Sequence, residues 1–554
     1  MKSSSTLQRL ALVCIAASLV IVGCDVSNLA DDIEDALEVR VSLPGTEVDL
    51  VVQVLDATTG DLIEEPVNVR LEGEDAALII DPLFFEPIQN TTTEVGVVNL
   101  AVASESVPTE ADPLRINVVV SSDGYVTTGQ SLLIVGEEAN VFEIRMISLT
   151  SAPPSGVALT SQASGQTDNQ GAITSDVTVT TPAEQQTGAT ASISIPAGTV
   201  IRDVNNQPLQ GDLTATVAYF SPQDGDALTS FPGGFDGITV QRADGSTEND
   251  GAFITGGFVS FDIFDGAGRR AENFSNNVSI TVDVPPGLTN PTTGQPVQSG
   301  DIVPIWSYDE ETGNWAEEGQ FTASKNGEQG FLIGEPNARG NLPVKFEVNH
   351  LSYKNIDWFD GASGTCRFSD GGLRINLSNF PGISLTARIT APGLGYAKTA
   401  YVTDNFLTLY NFSRAATSIT VQFFLGSTSL GSTTVSDPCG QTTSFTLQGL
   451  PTFVTVDLSV DVVCSGQNIT ALPTIWLRVR QQGTSRWQWL RIVNGRLQQS
   501  GLEQGATYDV IVYYLDNGRW QTQSETVAVT GTPVNGVISI RRSFVDNEEI
   551  CSRL

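Results

Sequence analysis

The stretch VDLVVQVLDATTGDLIEEPVNVRL, residues 48–71, decides the fold. A run rich in Val and Leu ends near Leu55, Thr59-Gly60-Asp61 supplies turn chemistry, and a second run with alternating apolar residues starts at Val67. Branched aliphatic residues favour a pleated backbone, and Gly and Asp at short intervals favour reversal, so the stretch reads as strand, turn, strand. The same texture recurs. RINVVV and NVFEIRMI flank a turn at Ser122-Asp123-Gly124, and GFVSFDIFD and VSITVDVP follow further on. Period-two alternation returns at 383–402, 418–435, 475–493 and 507–529, with Asp516-Asn517-Gly518 as a hairpin turn in the last of these. The expected class is all-β: tandem sandwich domains of immunoglobulin-like type.

Composition agrees. The 554 residues exceed the roughly 250–300 at which single cores stop growing, so several domains are expected. Hydrophobic residues make up 40% of the chain, which suits packed domains rather than disorder. Lys and Arg number 28 against 63 Asp and Glu, giving a net charge of −35. Such a chain lacks the concentrated cations that phosphate binding demands, so no nucleic-acid partner is expected.

The amino terminus carries Lys2 and Arg9, then an apolar run from Leu10 to Val22, shorter than the ~20 residues of a comfortable membrane span. It reads as a secretory signal peptide. Its end, Ile21-Val22-Gly23-Cys24, resembles the lipobox of bacterial lipoproteins, which implies cleavage before Cys24 and a diacylglycerol thioether on its sulfur. With ~0.8 kcal/mol for each buried methylene, several acyl chains hold a protein stably at a membrane. Asp25 resembles the inner-membrane retention signal of some enteric bacteria. The expected location is nevertheless the bacterial cell envelope, lipid-anchored, at the outer membrane or cell surface. Residues 26–37 form the one amphipathic helical pattern of the mature chain, short and acidic, a spacer behind the anchor.

Texture divides the rest: signal peptide 1–23, anchor and acidic linker 24–37, a β-sandwich at 38–150, a β-rich domain at 156–360 beyond the proline-rich SAPPSG, and β-sandwiches at 361–449 and 455–554. The turn VLDATTG and the later SDGYV resemble carboxypeptidase-regulatory-like sandwiches, which implies a passive β module at 38–150. The hairpin IVPIWSYDEETGNWAEEGQF, 302–321, with FEVNHLSYKNIDWF, 346–359, resembles the extracellular module of cartilage intermediate layer proteins and many bacterial surface lipoproteins. The match runs over Trp306, Tyr308, Asp309, Glu310, Thr312, Gly313, Trp315, His350, Ser352, Asn355 and Asp357. Lys354 departs from it, standing where that module carries a tryptophan.

Candidate chemistry is sparse. His350 is the only histidine, so a site of several imidazoles is impossible and any histidine-dependent triad would have to centre there. No phosphate loop, dinucleotide fingerprint, nucleophile elbow or zinc-protease motif occurs. No enzyme activity, cofactor or metal is expected. Asp224, Asp226 and Asp236, or Asp262 and Asp265, are the oxygen ligands that calcium would use, but acidic turns are the default in so acidic a chain. Cys366, Cys439, Cys464 and Cys551 have no zinc-type spacing. In an exported chain they predict two disulfides, with three connectivities open. The turn-rich LQGLPTFV at 447–454 favours Cys366 with Cys439 and Cys464 with Cys551, one bridge on each side. Trp487, Trp489 and Trp520 are candidates for stacking on sugar rings. The expected role is structural, adhesive or docking, with a membrane held through the lipid and a protein or glycan partner; carbohydrate binding and a hydrolase on a β scaffold are the alternatives.

Overall fold

The computed structural model describes residues 39–545 apart from 43–45, 47, 83–84, 104–106, 110–111, 137–139, 311, 326, 427, 451–453, 465–468, 484–486, 517–518 and 531–536, together with Cys551. The Cys24 lipidation site, the helical pattern at 26–37 and the Asn517-Gly518 turn lie outside the described residues. The chain is all-β, built from sheets packed in sandwich-like pairs.

The opening stretch shows how. Asp49–Asp56 pairs with Val97–Val102 on one side and, in parallel, with Asn140–Met146 on the other. Val67–Glu72, Asn90–Thr93, Leu114–Ser121 and Thr128–Ile134 form the facing sheet. Every residue of Asp49–Asp56 is buried, although a sandwich strand normally wets one face. The two faces divide by parity. Leu50, Val52 and Val54 enter the core between the two sheets, whereas Val51 joins Val97, Val141, Trp476, Trp489 and Tyr513 in a second apolar cluster. Residues from near the carboxyl end therefore cover the outer face of this first sandwich.

The next segment differs from a plain sandwich. Thr247–Asp265 pairs with Asp236–Gln241 and Tyr353–Asp360, and the circuit closes through Asn314–Glu317 and Ile305–Asp309, so five strands ring an aromatic interior. Inside it Phe253 meets Trp306 and Trp315 edge-on, with ring centroids 5.3 and 5.4 Å apart. The long strand bends at Gly256-Gly257, where its register against Tyr353–Asp360 shifts. Gly257 has φ of +129°, which a residue with a side chain rarely adopts. A second sheet, centred on Asn273–Val284, packs outside.

Leu385–Thr390 and Ser418–Leu425 lead one sheet of the third group, and Leu373–Ser378 leads the facing one. In the last group Val454–Cys464 pairs with Arg496–Leu502 and, in parallel, with Val537–Val545. Among the described residues, two strand pairings tie the first group to the last. Val39–Ser42 runs parallel to Ile469–Leu472. Arg519–Ala528 pairs with Asn90–Thr93, making one eight-stranded sheet from first-group and last-group strands. Beads in series would have kept these ends apart. The shared sheet joins them because Trp520, 1% exposed, supplies the first sandwich's core with an indole from more than 350 residues away.

Candidate functional site

The cysteines pair as Cys366–Cys439 and Cys464–Cys551. The one described group of potential metal ligands, Cys366, Asp370 and Cys439, contains the first of these disulfides, so its sulfurs are already bonded to each other.

Four of the aspartates considered for calcium, Asp224, Asp236, Asp262 and Asp265, are engaged by donors. Asp224 caps the short helix Gly225–Leu228, accepting from the backbone N–H groups of Asp226 and Ala227. Asp236 accepts from the Tyr396 hydroxyl at 2.9 Å and the Lys398 ammonium at 3.0 Å. Asp262 pairs with Arg270, and Asp265 with Arg269.

The three tryptophans do not form a sugar platform. Trp489 and Trp520 are 3% and 1% exposed, the former against Tyr513 with centroids 5.5 Å apart. Both are buried because the first and last groups pack on each other, a contact between distant segments that strand periodicity does not encode. Trp487 alone is half-buried, and it carries two guanidinium groups: Arg478 at 4.8 Å and Arg480 at 4.5 Å from its ring.

The resemblance-bearing hairpin and the strand Tyr353–Asp360 build a buried charge cluster. Lys354, 0% exposed, reaches the Ser307 hydroxyl at 2.5 Å, Glu318 Oε1 at 3.0 Å and the Ser352 hydroxyl at 3.2 Å. It lies 3.3 and 3.4 Å from the two ring nitrogens of His350, which places the ammonium over the imidazole rather than in line with one lone pair. His350 Nε2 bonds Glu318 at 3.0 Å, and the Ser307 hydroxyl donates to the same carboxylate. Burial opposes ionisation of Glu318, but the His350 hydrogen bond and the Lys354 charge outweigh it and hold the carboxyl well below its usual range. Burial pulls Lys354 down, against the pull of Glu318.

This contact brings a serine and a lysine together, as some hydrolases do. An ammonium paired with a carboxylate has no lone pair to take the Ser307 proton, and that proton already faces Glu318. The arrangement is suited to holding strands rather than to proton transfer. Asn355 and Asp357 play a similar part: Thr255 donates to Asn355 at 2.9 Å, Asn355 donates to Asp357, and the Trp306 indole donates to the Asp357 carbonyl at 3.0 Å. Complete burial keeps the Asp357 carboxyl far above its usual value.

The turn of the same hairpin is clasped by the first sandwich. Arg70 donates to the Glu310 carbonyl at 2.9 Å and Asn117 to the Thr312 carbonyl at 3.0 Å. Gly313, at φ +72°, leaves room for Asn117, whose Cβ would stand 2.6 Å from any side chain there. The Glu310 carboxylate binds Arg270, which also binds Asp262. Burial and the Asp262 charge, opposed by Arg270, push Glu310 up from 4.5 to about 7. The folded protein then holds a proton that the unfolded chain releases between these values. This group's contribution is thus present below about pH 4.5 and lost as pH rises through about 7. Stability is expected to fall by about 2–3 kcal/mol from this group between pH 5 and pH 8, and Glu310→Gln to remove most of that fall. Urea unfolding at the two pH values checks it; an unchanged fall in the variant rejects it.

A cleft of about 1200 Å³ opens where the first, third and last groups meet. Tyr401 crosses its floor, donating to Glu143 at 2.6 Å and accepting from Gln53 at 2.9 Å, while Arg145 pairs with Glu143 at 3.0 Å. Trp487 with Arg478 and Arg480 forms one wall, and Arg388 with Phe424 another. Sequence reading singled out Trp487 but neither these arginines nor the cleft, because the wall residues come from segments about 90 residues apart and meet only in the fold.

No family model and no curated protein matches the chain. Among solved structures it is similar to the Bacillus anthracis TIE protein, at 7% identity over 72% of this chain and 59% of that one, with a TM-score of 0.13. It is also similar to GBS52, the minor pilin of Streptococcus agalactiae, at 9% identity, 31% and 96% coverage and a TM-score of 0.12. For the full-length major pilin RrgB of Streptococcus pneumoniae the values are 10%, 90%, 100% and 0.14. At such scores no residue role passes from these proteins to this chain.

Proposed function

We propose that this chain is a non-enzymatic, lipid-anchored protein of a bacterial cell envelope. Its β units, 38–150, 156–360, 361–449 and 455–554, act together as a docking platform for a protein partner at the outer membrane or cell surface. Acylation of Cys24 would hold the platform to the membrane, and residues 24–37 would space it from the lipid. The observation that carries the docking reading is the cleft at the junction of three groups, an open polar surface with a fixed floor and arginine-bearing walls. A platform fits better than an extended stalk, since the strand nearest the anchor, Val39–Ser42, is hydrogen-bonded to the last group. The passive role is supported by the engagement of the sole imidazole with Glu318 and Lys354. Carbohydrate capture has lost two of its three stacking rings to the interior.

The test uses protein extracted with detergent from intact cells after chemical crosslinking. Mass spectrometry is expected to find a diacylglycerol thioether and a new amino terminus at Cys24, and crosslinks from a recurring partner at cleft residues. A free Cys24 thiol would remove the anchor. Absence of any reproducible protein crosslink would remove the docking role.

A further inference from the structure

We infer that the junction cleft binds an extended peptide in which a carboxylate side chain is flanked by basic residues. The inference rests on the docking reading and names the partner's chemistry. Acidic residues outnumber basic ones 63 to 28, so a guanidinium in this chain has carboxylates to spare. Arg480 takes one, Asp509, at 2.9 Å. Arg478 and Arg388 form no ion pair with any described carboxylate, yet both line the same cleft. Arg478 is half-buried against Trp487 and Trp489, and its side chain hydrogen-bonds that of Tyr513, a neutral partner in the same cleft. Arg388 is exposed, its guanidinium 5.2 Å from the Phe424 ring.

A planar anion entering between these walls would give Arg478 and Arg388 the carboxylate partner that neither has, and a carboxylate matches the two-donor edge of a guanidinium. The rim restricts what can carry that anion. Asp61, Glu64 and Glu65, all exposed, stand at the mouth, so a polyanion such as a uronic-acid polymer meets repulsion on entry. A chain with one carboxylate and cations on either side meets attraction at both places. The cleft's volume, above the roughly 300–1000 Å³ typical of small-molecule sites, suits an extended segment better than a compact ligand. The floor adds a neutral polar surface, since the Glu143 charge is met by Arg145 and Tyr401.

The test is calorimetric titration of the full chain with the blocked peptide Lys-Lys-Gly-Glu-Gly-Lys-Lys. The same peptide with Gln for Glu, and trigalacturonate, serve as comparators. The expected result is measurable binding of the first peptide, weakened about tenfold or more by the Gln peptide, by Arg478→Gln and by Arg388→Gln. The triple variant Asp61→Asn, Glu64→Gln, Glu65→Gln should weaken it several-fold and flatten its salt dependence. Arg388 and the rim residues are exposed, so those variants remain informative if Arg478→Gln impairs folding, which circular dichroism reports. Absence of peptide binding, binding indifferent to both arginine variants, or tighter binding of trigalacturonate would each overturn the inference. If cellular crosslinks to a protein partner persist while the peptide fails, docking survives and this cleft is excluded as its peptide site.

Discussion

Glu318→Gln is expected to destabilise the ring of strands around Trp306 and Trp315 by about 3–5 kcal/mol, because it leaves the Lys354 ammonium buried without the carboxylate it touches. Removing one partner of a buried pair is far costlier than removing both, since the surviving charge keeps its full desolvation penalty. The double variant Glu318→Gln, Lys354→Met is therefore expected to recover most of the loss. His350→Ala should cost less than Glu318→Gln, because the imidazole is 35% exposed and water replaces its bond. The pH dependence has a definite sign. The folded Glu318 carboxyl lies well below its usual 4.5, so its contribution is fully present above that value and is lost as the solution is acidified through the folded value. Hydrogen exchange over 305–318 and 342–360 reads the effect where it arises. A single variant that exchanges like the native protein, or a double variant as unstable as the single, would sink this account of the cluster.

Lys354 also shows what the sequence makes legible. Against the pattern of the resembling module it stands out as a charge where an indole belongs, but nothing local says how a lysine is accommodated. The answer needs Glu318 and Ser307, 36 and 47 residues back, and strand pairing to bring them together. The strands themselves follow from alternation and from turn glycines, and the all-β class with them. Whatever depends on a second group covering the first does not. Asp49–Asp56 carries the apolar density of a doubly covered strand, but only the fold reveals that Trp476, Trp489 and Tyr513 do the covering. The sugar-stacking reading of Trp489 and Trp520 failed for the same reason: period two tells which residues share a face, not what lies over it. The closed ring was likewise hidden, since it depends on the register shift beside Gly256-Gly257 that only the paired strands show.

The cysteines give the second large effect. Double replacement Cys366→Ala, Cys439→Ala frees a 73-residue span, and Cys464→Ala, Cys551→Ala an 87-residue one. In the chain-entropy picture each costs about 4 kcal/mol, and the difference in loop length changes this by only about 0.2 kcal/mol. Entropy alone thus predicts equal losses, and location decides how each loss is distributed. Cys366 is fully buried at the strand pair Thr365–Cys366 and Phe412–Ser413, within the core that the second and third groups share. Its removal is expected to raise exchange across Leu373–Ser378 and Gln441–Thr446. Cys464 ends the strand to which Val537–Val545 adds in parallel, and Cys551 lies just past that last strand. Without the bridge, Val537–Val545 is held by one ladder alone, so exchange should rise first there and then along Val454–Cys464. Protection of the third group should survive. Reduction of the native protein should reproduce both patterns together. Equal loosening everywhere in both variants would mean that the bridges stabilise the assembly globally and not the separate sheets they join.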